Sequence, residues 1–182
     1  YASILSIASI LVGAAMEKTL LDMGFSSKVK WPNDIYLNNK KCCGILVESS
    51  FEEKLEAIYV GVGLNLNSKS FPDELKESAT SLFLESHKKF DKYDVLNKFL
   101  NNFDLLLDDY RNKKMSFFEL ISKNDYLKGK QVYLNYYGEN KYVISLGIDI
   151  DGKLIVKDEN ENILKVTSGE ATIIKNSCHP DL

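Results

Sequence analysis

The 182-residue sequence has little of what marks a disulfide scaffold, a metal site or a membrane span. Its three cysteines, Cys42, Cys43 and Cys178, make no spacing typical of zinc or of a disulfide framework. Adjacent Cys42 and Cys43 are expected to alternate across a strand as reduced thiols, which points to a reducing, cytoplasmic compartment. The two histidines, His87 and His179, lie far apart with no metal-type partners and read as surface residues, so no protein-built metal site is expected. A net charge of −3 gives nothing to suggest bulk electrostatic attraction to nucleic acid. The one uncharged apolar segment, at the start, stops at Glu17, short of the ~20 residues a bilayer span needs. It has neither a basic leader nor a cleavage site, which argues against a signal peptide. Internal repeats and low-complexity runs are missing too.

What is there is ordinary globular material, 45% hydrophobic and 27% charged, long enough for one moderate domain and a small one. Ile4, Ile7, Ala8, Leu11, Val12 and Ala15 recur at helical spacing and predict a mostly buried helix over Ser3–Met23, closed by Gly24. Such a helix needs a sheet to pack against.

Val29 to Glu48 supplies part of one. Trp31-Pro32-Asn33-Asp34 is a turn or strand entry, because Pro fixes φ and Asn and Asp bond their own backbone. Ile35-Tyr36-Leu37 and Cys43–Glu48 read as paired strands, with Asn38-Asn39 as a two-residue loop. Partners in such a hairpin share a face, so Lys41 falls opposite Tyr36, and Asp34, Tyr36 and Lys41 project together. Moving the loop to Asn39-Lys40 keeps Asp34 and Lys41 on one face. For a generic hairpin this would be a surface ion pair of little consequence.

Ala57–Leu66 is the next strand. Period two puts Val60, Val62, Leu64 and Leu66 on the core face and Tyr59, Gly61, Gly63 and Asn65 on the other. Glycines inside a strand mark a bulge, tight packing or a place where a ligand comes close. Ser68–Phe90 is polar, broken by Pro72, with at most short helical turns. Tyr93–Arg111 is a helix whose stripe Val95, Leu96, Phe99, Leu100, Phe103, Leu106, Leu107 and Tyr110 is core. Ser116 with Glu119 reads as a capping box for a short helix through about Ser122. From Gly129 the pattern alternates, with Val132, Leu134 and Tyr136 on one face. Strands near 131–136, 141–149, 153–157, 162–167 and 170–175 would make a small five-stranded barrel.

KWPND, a lysine seven residues after its Asp, then GILVE, together with YVGVGLNLN at Tyr59–Asn67, strongly resembles the biotin protein ligases, and the likeness runs through nearly the whole chain in order. It implies an α+β fold: a mixed sheet packed on helices, as in class II aminoacyl-tRNA synthetases, over 1–127, and an SH3-like β-barrel over 128–182. It implies a cytoplasmic ligase that joins biotin to ATP as biotinyl-5′-AMP and passes biotin to a lysine of a biotin carboxyl carrier protein, with Mg²⁺ held mainly by phosphate and water. Lys41 matches the catalytic lysine and Asp34 the acidic position, orienting Lys41 or the incoming amine. Lys30 would help hold phosphates. Trp31 and Asn33 would shape the adenylate site, with Trp31 as plain core the alternative. Gly44, with the backbone of Ile45 and Leu46, would lie against biotin. Gly61, Gly63 and Asn65 would hold ATP, with Asn65 reading the adenine edge.

The family's GRGRxGR loop and first strands are missing, so the chain reads as truncated at its N-terminal side. Glu170 is a further candidate for ATP, although the arginine that follows this glutamate in some relatives is absent. Lipoate–protein ligase is the alternative with the same fold and chemistry. A bifunctional ligase and repressor would need a DNA-binding segment upstream of Tyr1. No nucleic-acid or membrane partner is expected for the part seen, and an exposed sheet edge offers a route to a homodimer.

Overall fold

The computed structural model describes residues 2–136, 138–167 and 169–173. Cys178, His179 and the last two positions of the expected 170–175 strand lie outside the described residues. Helix α1 (Ala2–Asp22) ends in a left-handed Gly24, as its spacing predicts. Its second half is buried nearly all round, from Ile10, Leu11 and Val12 through Leu20. The reason is its place: α1 lies between a four-stranded sheet on one side and α3 (Lys92–Arg111) and α4 (Ser116–Lys123) on the other. By length and hydropathy alone residues 4–22 would span a membrane, but 56% of the window is buried inside the fold.

The first sheet runs β1 (Lys28–Lys30), β2 (Asp34–Leu37), β3 (Lys40–Phe51), β4 (Leu55–Leu64), antiparallel throughout. Asn38 and Asn39 form the β2–β3 turn with φ of 46° and 65°, left-handed values that Asn tolerates better than most residues. Tyr36 pairs with Lys41, as the loop length predicts. Beyond that pair the register shifts by one, and Ile35 faces Cys43 rather than Cys42. Cys42 is the extra residue of a β-bulge. Both cysteines are therefore buried, and the expected alternation across the strand fails. Burial raises both thiols, Cys43 to about 12, so they stay protonated and inert.

Between the sheet and α3 lie a single 3-10 turn (Asp73–Leu75) and a short helix, α2 (Leu82–Ser86), capped by the Ser81 hydroxyl. Helix α3 begins at Asp91, whose carboxylate accepts the N–H groups of Tyr93 and Asp94. Its stripe is only partly core. Val95, Phe99 and Leu106 are buried, whereas Leu96 and Leu100 are exposed along an open apolar groove of about 680 Å³ that also takes Val60, Val62, Leu64 and Leu66. The capping box is not used: Met115 is the N-cap of α4, and the Ser116 hydroxyl instead donates to Asp109 of α3.

The second sheet has the order β8 (Ile163–Val166), β7 (Leu154–Lys157), β6 (Glu139–Ile148), β5 (Gln131–Tyr136), β9 (Glu170–Ile173). All five expected strands form. Among the described residues β8 and β9 do not pair, so the sheet is open where a closed barrel was expected. Its core joins that of the first sheet in one cluster, from Ile10 and Trp31 to Leu134 and Val156.

Candidate active site

Strand pairing alone assembles the site. Lys28 lies opposite Tyr36 and Lys30 opposite Asp34; Asp34 lies opposite Gly44, and Gly44 opposite Gly63; Leu46 faces Gly61. Directly opposed residues share a face. One exposed face therefore carries Lys28, Lys30, Asp34, Tyr36, Lys41, Gly44, Leu46, Gly61 and Gly63. The bulge at Cys42 makes this possible: it reverses the facing of every later residue of β3, turning Ile45 into the core and Gly44 and Leu46 outward.

Lys41 Nζ lies 2.6 Å from Asp34 Oδ1. The approach is an ion pair without hydrogen-bond geometry, and the buried Oδ1 accepts no hydrogen bond among the described residues. Asp34 is the more enclosed partner, 14% exposed against 44% for Lys41. A Cβ on Gly44 would stand 3.2 Å from Lys41 Cε and 3.3 Å from Nζ, so the bare glycine is what lets the lysine arm lie over the carboxylate. The Lys41 main chain is held from outside, its N–H donating to Ser78 O and its carbonyl accepting from Thr80.

The other expected site residues fall around this pair. Lys30 is half-buried over the Tyr36 ring; desolvation holds its ammonium below the usual range, Asp34 and Glu170 oppose that, and Lys41 adds to it. Glu170 is thus near enough to act on Lys30. Asn33 binds Ile45 twice, accepting its N–H and donating from Nδ2 to its carbonyl, which closes the turn on β3. Trp31 is 2% exposed and its indole donates to Gly152 O, so it serves as core and tie to the second sheet while edging a cleft of about 220 Å³. Asn33, Ile45 and Leu46 line the same cleft. Asn65 lies one residue past β4, its amide donating to Thr80 O, while its Oδ1 accepts nothing among the described residues.

The residues that spacing did not single out are Lys28, Tyr126 and Lys130. Lys28 was legible, since Lys28-Val29-Lys30 alternates as a strand does. Tyr126 and Lys130 come from the connection after α4, and nothing local predicts that the Tyr126 ring stacks 4.6 Å from that of Tyr36. The bare-glycine face with its lysine–aspartate pair, backed by helices and followed by a small five-stranded sheet, is the architecture of the biotin and lipoate ligase class. The profile of the "Biotin/lipoate A/B protein ligase family" matches residues 2–65, and that of the "Biotin protein ligase C terminal domain" matches 128–172. The structure resembles the biotin protein ligase from Aquifex aeolicus in complex with biotin and ATP, with a TM-score of 0.81 and 28% identity over 94% of this chain and 72% of that one. A point mutant of the Aquifex aeolicus protein with biotin gives 0.79 and 30% over the same shares. The bifunctional ligase/repressor BirA of Bacillus spizizenii is 34% identical over 81% of this chain and 46% of its own length. The chain spans about half the length of the curated relatives it matches. It belongs to the biotin protein ligase family.

Proposed function

We propose that this protein activates biotin with ATP and transfers it to the ε-amine of a lysine on a biotin carboxyl carrier domain, in the cytoplasm. The observation that carries the reading is the Lys41–Asp34 pair seated over Gly44. In the first step an oxygen of the biotin carboxylate attacks the α-phosphorus of ATP. The new O–P bond forms as the bond to the bridging oxygen of the β-phosphate breaks, and pyrophosphate leaves. Two anions must meet, and a fixed ammonium beside a low-dielectric sheet face offsets their repulsion and stabilises charge on the phosphorus oxygens. Lys41 has that role and Lys30 supports it. In the second step the acceptor amine attacks the acyl carbon, the C–O bond to AMP breaks, and the amine loses a proton. Asp34, whose Oδ1 is paired with the Lys41 ammonium, is placed to orient Lys41 or that amine.

Gly61 and Gly63 leave the sheet bare for biotin and adenylate, and Asn65 Oδ1 is the acceptor offered to adenine. Among the described residues no three His, Cys, Asp or Glu side chains gather as a metal site. Mg²⁺ would arrive with the nucleotide, held by phosphate and water. We place the domain boundary near Lys128.

The test is pyrophosphate release from biotin and ATP by the full-length protein. Lys41→Met should lower kcat by ~10²–10³ with an unchanged circular dichroism spectrum, and Lys41→Arg should rescue poorly because the guanidinium differs in shape and reach. Lys40→Met is the control, since Lys40 reaches away to Lys76 O. Equal rates for Lys41→Met and wild type would remove Lys41 from the chemistry.

A further inference from the structure

The site face holds more positive charge than its chemistry at the α-phosphate uses. Lys30 and Lys41 flank Asp34, and Lys28 stands next along β1 on the same face, opposite Tyr36, in a chain whose net charge is −3. A fourth lysine joins them from another part of the fold. The crossing from α4 to β5 runs beside β1: Val29 N–H donates to Asn124 O, and Tyr126 N–H donates to Val29 O. Asp125 therefore lies opposite Val29, which turns Tyr126 to the same face as Lys28 and Lys30. There its ring stacks on Tyr36 at 4.6 Å and 28°. Lys130 Nζ caps the outer side of Tyr126, 3.7 Å from its centroid, and Lys30 Nζ lies 5.6 Å from the centroid of Tyr36.

The two aromatic rings hold two ammonium groups at set places beside the reaction centre. Neither Lys30 nor Lys130 has a carboxylate oxygen within 4 Å among the described residues. The charges nearer Lys130 are Asp125, which favours its charged form, and Lys28, which opposes it; desolvation opposes it more strongly. Around Lys30, Asp34 and Glu170 are set against Lys41. Cations partly stripped of water, lying over rings and with no carboxylate in direct contact, make a place for an anion of high charge density.

We propose that Lys130, positioned by Tyr126 on Tyr36, completes a pyrophosphoryl-binding subsite with Lys28 and Lys30 on the β1 side of Lys41. The assignment rests on the adenylating reading above for its biological ligand: the β- and γ-phosphates would lie here, and the departing pyrophosphate would leave from here. The connection after α4 thereby contributes directly to nucleotide binding.

Titration calorimetry of the full-length protein with inorganic pyrophosphate tests this without any turnover. Lys130→Met should weaken binding about five- to tenfold and reduce its salt dependence, as loss of one desolvated cation does. Tyr126→Ala should do the same, while Tyr126→Phe keeps the ring and should bind as wild type. Lys98→Met, on exposed α3, is the control. If Tyr126→Ala fails to fold, Lys130→Met and Tyr126→Phe still decide. Equal affinity in Lys130→Met and wild type overturns the subsite, as does a wild type that does not bind pyrophosphate. A Lys130→Met protein that binds pyrophosphate normally but transfers biotin slowly also overturns it, in favour of acceptor docking. Adenylate formation, read by mass spectrometry, separates the two claims: adenylate with a silent Lys130 sinks only the subsite, whereas Lys130-dependent pyrophosphate binding without adenylate sinks only the ligase reading.

Discussion

Gly44 does at the scale of one residue what no other side chain in the site can do. Its missing Cβ leaves the space over which Lys41 reaches Asp34, and the added carbon would crowd the far end of that flexible lysine arm, with Asp34 Oδ1 at an ordinary contact distance of 3.9 Å. Gly44→Val should therefore spare the fold while moving the ammonium off its position. A displaced catalytic group costs far more in rate than in stability, so pyrophosphate release should fall by roughly tenfold or more while Tm moves by a few degrees at most. An unchanged rate would mean that Lys41 acts from another rotamer. The Lys41–Asp34 pair itself was legible in the sequence, because a two-residue loop fixes which side chains oppose. The role of Gly44 beneath it was not, because it depends on a bulge.

Among the elements, the β2–β3 hairpin shows why part of the site could be read and part could not. The loop was legible from Asn38-Asn39, since few residues take φ > 0 in succession. The bulge at Cys42 left no local mark: Cys42 and Cys43 are alike, and only the packing of both against the core selects which one is extra. The same limit appears at α4, where Ser116 and Glu119 have the spacing of a capping box but Ser116 is taken by Asp109 across the α3–α4 turn. A tertiary partner outcompetes the local one. The turn itself is open to test. Asn39, at φ 65°, should accept glycine with a gain of about 0.5 kcal/mol, whereas the β-branched Asn39→Val should cost about 1–2 kcal/mol. Urea midpoints at constant m-value measure both. If Asn39→Val were as stable as wild type, the left-handed turn would be wrong, and with it the register that joins Lys41 to Tyr36.

Across the whole molecule the two sheets share one core, and the ties between them are long-range. Trp31 bonds the carbonyl of Gly152, and that turn sits so close to α1 that a Cβ on Gly152 would stand 2.9 Å from Ser6 backbone atoms. Periodicity exposes neither tie, nor the third, which joins α1 to the crossing after α4. Glu17 is 1% exposed; Asn124 Nδ2 donates to its Oε1 at 2.7 Å, and its Oε2 has no donor among the described residues. Burial pushes its carboxyl up to about 7 from 4.5, against the pull of Lys28 and Lys18. The sign follows from linkage. Between pH 4.5 and 7 the folded chain holds a proton that the unfolded chain has released, so this group's contribution to stability declines as pH rises through that window and is fully lost above it. Glu17→Gln keeps the acceptor for Asn124 and removes the charge. It should flatten the decline and be more stable than wild type at pH 8, by on the order of 1–3 kcal/mol, with little difference at pH 4.5. Urea unfolding at four pH values between these limits gives the comparison. Parallel curves for the two proteins would mean that Glu17 stays ionised in its buried place, with a donor on Oε2.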